Sequence, residues 1–138
     1  MEKDNVKNLS LKKQGIGMVI ALIVQYLLGM LTNLFVQFPD TKNEGKLWLY
    51  AWSQTSLALH IILGILLLLG SVVLLIRAFA RKDGAWILAS TFGFLAILGS
   101  GVAGAIFVTK QSDVYSLAMA LGFIVALLSY FWGIYKSK

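Results

Sequence analysis

Polar positions in this chain gather into a few short clusters, and between them run four stretches without a single Asp, Glu, Lys or Arg: residues 14–39, 47–76, 84–109 and 114–135. They are 26, 30, 26 and 22 residues long. A helix rises about 1.5 Å per residue and the hydrocarbon core of a bilayer is about 30 Å thick, so each stretch is long enough to cross. Continuous apolarity without strict alternation excludes a membrane β-barrel, and backbone groups in lipid must bond within their own segment, which leaves the helix. The pattern therefore predicts an all-α fold, an integral membrane four-helix bundle with antiparallel neighbours. It forms a single membrane domain over 1–138, with spans at about 14–37, 52–78, 85–108 and 114–135.

Breakers set the expected boundaries. Pro39 lacks an N–H and disfavours helix at Phe38, which predicts the end of the first span there and a loop over the next ten residues. Asp83-Gly84 and Ser112-Asp113 offer turn and N-cap chemistry ahead of the third and fourth spans. Short connections of this kind make successive spans pack side by side.

Charge changes the picture by giving it an orientation. Lys3, Lys7, Lys12, Lys13, Arg77, Arg81, Lys82, Lys136 and Lys138 fall on one side of the predicted membrane, against Lys42, Lys46 and Lys110 on the other. By the positive-inside rule both termini are cytoplasmic, which describes a multi-pass, N-in/C-in protein of the plasma membrane. The acids divide evenly, so the whole net charge of +6 lies on the cytoplasmic side. Anionic lipid is the partner this predicts; nucleic acid is not. Cysteine is absent, which removes disulfides, thiolate metal sites and thiol nucleophiles. The first apolar run is longer than a signal-peptide core, so the first helix is expected to stay in the mature protein.

Aromatic residues collect at both expected interfaces: Phe35, Phe38, Trp48, Tyr50, Trp52, Phe107 and Tyr115 outside, Phe79, Trp86, Tyr130, Phe131, Trp132 and Tyr135 inside. A belt at headgroup level is the reading of both groups. Small residues form stripes. Ala85, Ala89, Gly93, Ala96, Ser100 and Gly104 share one face of the third span, and Ala118, Gly122, Ala126, Ser129 and Gly133 share one face of the fourth. Close helix packing is what such stripes permit, with Gly93, Ser100, Gly104, Gly122 and Ser129 as the contact positions.

Within the spans, His60 is the one residue whose charge can change near neutral pH, and an intramembrane ionisable group is a functional candidate. Ser53, Ser56, Gly64, Leu67 and Ser71 share its face. Gln25, Gly29, Thr32 and Asn33 make a comparable stripe on the first span, with Asn33 expected at the depth of His60. His60, Asn33, Gln25, Thr32 and Ser56 thus form the candidate polar cluster. The structural reading is a neutral imidazole bonded to Asn33, Thr32 or a serine. The cofactor reading makes His60 an axial ligand of haem b, with Met30, Met119 or a second protomer's His60 opposite. Metal-ligand clusters, phosphate loops and nucleophile turns are all missing from the sequence.

The run Gly29-Met30-Leu31-Thr32-Asn33-Leu34-Phe35-Val36, followed by Phe38-Pro39 and by His60 with Leu63-Gly64, resembles small bacterial four-span membrane proteins of unknown function. The resemblance covers roughly residues 29–64 and implies a bacterial plasma membrane, with no activity attached. The expected function is a non-enzymatic interaction or accessory module, a homo-oligomer or a subunit of a larger membrane complex. The alternative is a haem-binding electron carrier or an oligomeric small-molecule transporter that uses His60.

Overall fold

The computed structural model describes residues 2–137, and the side chains of residues 10–137. Lys3, Lys7 and Lys138, counted above for orientation, and the acids Glu2 and Asp4 lie outside the described side chains. The elements are α1 (Glu2–Phe35), α2 (Glu44–Ser53), α3 (Thr55–Arg81), α4 (Gly84–Lys110) and α5 (Asp113–Lys136). No strand occurs among the described residues. Four of the helices are long and apolar enough to cross a bilayer: α3, α4, α5 and the part of α1 from Ser10 to Phe35.

The long helices form a ring in which α1 packs on α3, α3 on α4, α4 on α5 and α5 back on α1, with the α4–α5 seam the most extensive. Tyr26 and Phe123 stack across the closing seam with ring centroids 4.9 Å apart. The first part of α1 and the last part of α5 lie at the same end of the bundle. There Arg77 of α3 bonds Ser10 and Gln14 of α1, and Trp86 of α4 lies against Gly15 of α1 and Gly133 of α5.

The turn between α3 and α4 shows how sequence fixes antiparallel packing. Lys82 adopts a left-handed φ of 54°, its N–H donates to Phe79 O at 3.0 Å, and the Asp83 N–H donates to Ala78 O at 3.3 Å. This pair of bonds satisfies the last carbonyls of α3. Asp83 then starts the next helix, its Oδ1 accepting from the Trp86 N–H at 3.1 Å. Gln111 closes α4 in the same left-handed way, with φ 50°. The expected side-chain cap at Ser112 does not form; Ser112 contributes its carbonyl instead, to the Tyr115 N–H at 3.0 Å.

Three expectations are corrected. The stretch after Pro39 is not a ten-residue loop, because it contains α2. Asn43 Oδ1 accepts from the Lys46 N–H at 3.1 Å, Glu44 supplies negative charge in the first turn, and Leu47 and Ala51, one turn apart, bury against Leu57 and Val108. Gln54, extended at φ −88° and ψ 111°, separates α2 from α3. The first helix stops at Phe35, short of Pro39, and starts at Glu2, well before the span expected from about residue 14. Finally, Trp86 and Tyr130 do not belong to an interfacial belt. Both are fully buried at 0% exposure, in the core between α1, α4 and α5.

Candidate functional site

The polar cluster assembles between α1 and α3, with Gln25 as the partner of His60. A carbonyl oxygen only accepts, so the 3.1 Å contact from His60 Nδ1 to the Gln25 backbone oxygen requires the proton on Nδ1. His60 Nε2 is then the acceptor, and it takes an N–H from the Gln25 side-chain amide at 3.2 Å. The same amide nitrogen donates to the His60 backbone oxygen at 3.0 Å. Rotating the amide would place Oε1 against two acceptors, so this bonding pattern selects one tautomer and one amide orientation.

Glycine makes the approach close enough. A Cβ at Gly29 would lie 3.0 Å from His60 Cε1, and one at Gly64 would lie 3.2 Å from Gln25 Nε2. Gln25 and Gly29 are one turn apart on α1, and His60 and Gly64 are one turn apart on α3. In antiparallel helices each polar side chain therefore lies over the other helix's glycine, which is a reciprocal clamp. Such polar contacts between membrane helices contribute about 0.6–2 kcal/mol.

The other predicted members fall elsewhere. Asn33 is exposed near the end of α1, and Ser56 is half-buried on α3. Thr32 is half-buried, and its Oγ1, like Gln25 Oε1, is buried without a partner among the described residues. Met30 lies on an exposed face of α1. Met119 belongs to the α4–α5 seam, where a Cβ at Gly104 would meet its Sδ at 3.2 Å and its carbonyl lies 3.4 Å from Ser100 Oγ. The structure thus brings His60 and Gln25 together and leaves Met30 and Met119 on other surfaces. No three His, Cys, Asp or Glu side chains converge among the described residues.

The α4–α5 stripes do face each other, and larger side chains fill the space the glycines leave. Gly93 lies under the Tyr130 ring, Gly122 against Ser100 Oγ and Ala96 O, and Gly133 against Ala89 and Trp86. Ser129 turns its hydroxyl to its own helix, donating to Val125 O at 2.7 Å.

A second polar junction at the terminal end was not anticipated. Arg77 Nη1 donates to Gln14 Oε1 at 2.6 Å and Nη2 to Ser10 Oγ at 2.5 Å, while Gln14 Nε2 lies 3.5 Å from Gly70 O. Its signal was present in the spacing, since Ser10, Gln14 and Gln25 fall on the one face that α1 turns to α3. Comparison with family models, with curated proteins and with solved structures finds no match.

A double-mutant cycle measures the clamp. Gln25→Leu and His60→Leu are each expected to lower bundle stability by about 1–2 kcal/mol, and the double variant by clearly less than the sum, because each single change strands the other's polar groups. Reversible unfolding in mixed micelles reads this out, and strictly additive losses would show that the two residues do not act as a pair.

Proposed function

We propose that this chain is a small non-enzymatic membrane module that self-associates or joins a larger membrane complex. In this reading it lies in a bacterial plasma membrane, with both termini in the cytoplasm and anionic lipid against its basic end. The observation that carries the reading is the use made of His60: both ring nitrogens are bonded to Gln25, so the candidate group for chemistry serves to hold α1 to α3. The glycines of the α4–α5 seam are likewise filled by neighbours. What remains available is the outer surface of the ring, where Leu, Ile, Val and Phe side chains are exposed.

Native mass spectrometry in mild detergent tests this directly. The expected result is a discrete oligomer or a co-purifying protein, colourless, with assembly retained in His60→Ala. A lone monomer would end the reading, as would a Soret band that disappears in that variant. Single cysteines test the orientation on a chain that has none: Lys46→Cys is expected to react with an impermeant label in whole cells, and Lys136→Cys only after lysis. A second reading, a carrier of haem b or a small-molecule transporter with His60 lining the site, has one observation in its favour. Gln25 Oε1 is a buried acceptor without a partner among the described residues, and a bound molecule donating to it in this seam would satisfy it.

A further inference from the structure

Arg77 stands four residues before the end of α3, on the face turned to α1, and is half-buried. Its two contacts, Gln14 Oε1 and Ser10 Oγ, are both neutral. They fix where the guanidinium points without cancelling its charge. Among the described side chains, the only carboxylate at this end of the bundle is Asp83, which is not a partner of Arg77 and whose Oδ1 is committed to the N-terminus of α4. The remaining acids with described side chains, Asp40, Glu44 and Asp113, sit at the opposite end, beside the start of α2 and of α5.

A half-buried cation at the edge of the hydrocarbon region is costly unless an anion meets it, and here the described side chains that bond Arg77 supply orientation but no negative charge. At this depth, about 6 Å of helix in from the end of α3, the anion at hand is the phosphate of a lipid headgroup. A guanidinium also suits it, because its planar fork binds phosphate oxygens in pairs where an ammonium acts as a point charge. Lys12 and Lys13, just before Gln14 on α1, place further positive charge at the same level of the bundle. The geometry points to a binding site for one anionic phospholipid at the α1–α3 seam, with Arg77 holding the phosphate and Ser10 and Gln14 positioning Arg77. The inference rests on the anionic-lipid partner proposed above and gives it a specific location.

The test titrates the full-length protein with phosphatidylglycerol or phosphatidylcholine in detergent and counts retained lipid by native mass spectrometry. Wild type is expected to prefer phosphatidylglycerol by about tenfold, Arg77→Gln to lose that preference, and Arg77→Lys to keep only about a third of it. Lys136→Gln, which removes the same charge from the same end, is expected to leave the preference within about twofold. Ser10→Ala combined with Gln14→Leu keeps Arg77 but releases it, and an intermediate loss is expected even if Arg77→Gln proves too unstable to purify. Equal losses in Arg77→Gln and Lys136→Gln would overturn the site and leave only diffuse attraction. No preference in wild type would overturn the anionic-lipid reading as well.

Discussion

Gly122→Ala is expected to open the α4–α5 seam. A Cβ placed at Gly122 would overlap Ser100 Oγ and lie 3.0 Å from the Ala96 backbone oxygen, and backbone in the middle of a helix cannot step aside as a flexible side chain can. Overpacking a fitted seam costs about 1–3 kcal/mol, and Gly122→Val should exceed that range. Helices in lipid gain little from burying apolar surface against each other, so the close contact that glycine allows is most of what holds these two together. Adding Ser100→Gly removes the hydroxyl and its carbon and should restore part of the loss, but not all, because Ala96 O stays in place. Gly99→Ala and Gly101→Ala are the matched controls: nothing lies within 4 Å of a Cβ at either position, so neither should destabilise. Thermal unfolding in detergent ranks the five variants. If Gly122→Ala melts with Gly99→Ala, the seam is not the close contact described.

The spans were legible because their signal is an absence, of ionisable groups over 22 residues or more, that no soluble helix needs and lipid demands. The same signal concealed α2. Residues 47–76 are charge-free across Gln54, and no proline or glycine marks the break, so two helices read as one run. What separates them is tertiary, the burial of Leu47 and Ala51 against Leu57 and Val108. The partner of His60 is Gln25 and not the expected Asn33, Thr32 or serine for a related reason. A first span ending near Pro39 puts Asn33 at the depth of His60, but α1 stops at Phe35, so Asn33 lies beside its end while His60 comes level with Gln25 and Gly29. Gln25 and Gly29 of the α1 stripe meet His60 and Gly64 of α3, whereas Asn33 and Ser53, on the same two stripes, are exposed. Position near span ends alone predicts an interfacial place for Trp86 and Tyr130, where aromatic residues collect. Their periodicity said otherwise. Trp86 is three and seven residues from Ala89 and Gly93, and Tyr130 is four from Ala126 and three from Gly133, which puts both on the small-residue stripes.

That placement makes Trp86 the position where one side chain matters to three helices at once. Its ring is fully buried on α4, and the neighbouring helices have given up side chains to admit it. A Cβ at Gly15 of α1 would run into Trp86 Cη2, and one at Gly133 of α5 would lie 3.0 Å from Trp86 Cζ3. Trp86→Ala should therefore leave a cavity bounded by all three helices. Phe/Trp→Ala changes in cores cost about 3–5 kcal/mol, and here the lower half of that range is expected, since lipid supplies no transfer gain and the loss is packing alone. Trp86→Phe keeps most of the ring and removes an Nε1–H that has no partner among the described residues, so it should cost under about 1 kcal/mol. Gly15 turns this into a test of sign. In the wild type, Gly15→Ala forces a methyl into an occupied space and should destabilise. With Trp86→Ala already present, the same methyl enters the vacated space and should be neutral or stabilising, a coupling of about 1–3 kcal/mol between residues on different helices. Unfolding of the four proteins of this cycle in one detergent measures it, and an unchanged effect of Gly15→Ala in the two backgrounds would mean that the indole does not fill the junction of α1, α4 and α5.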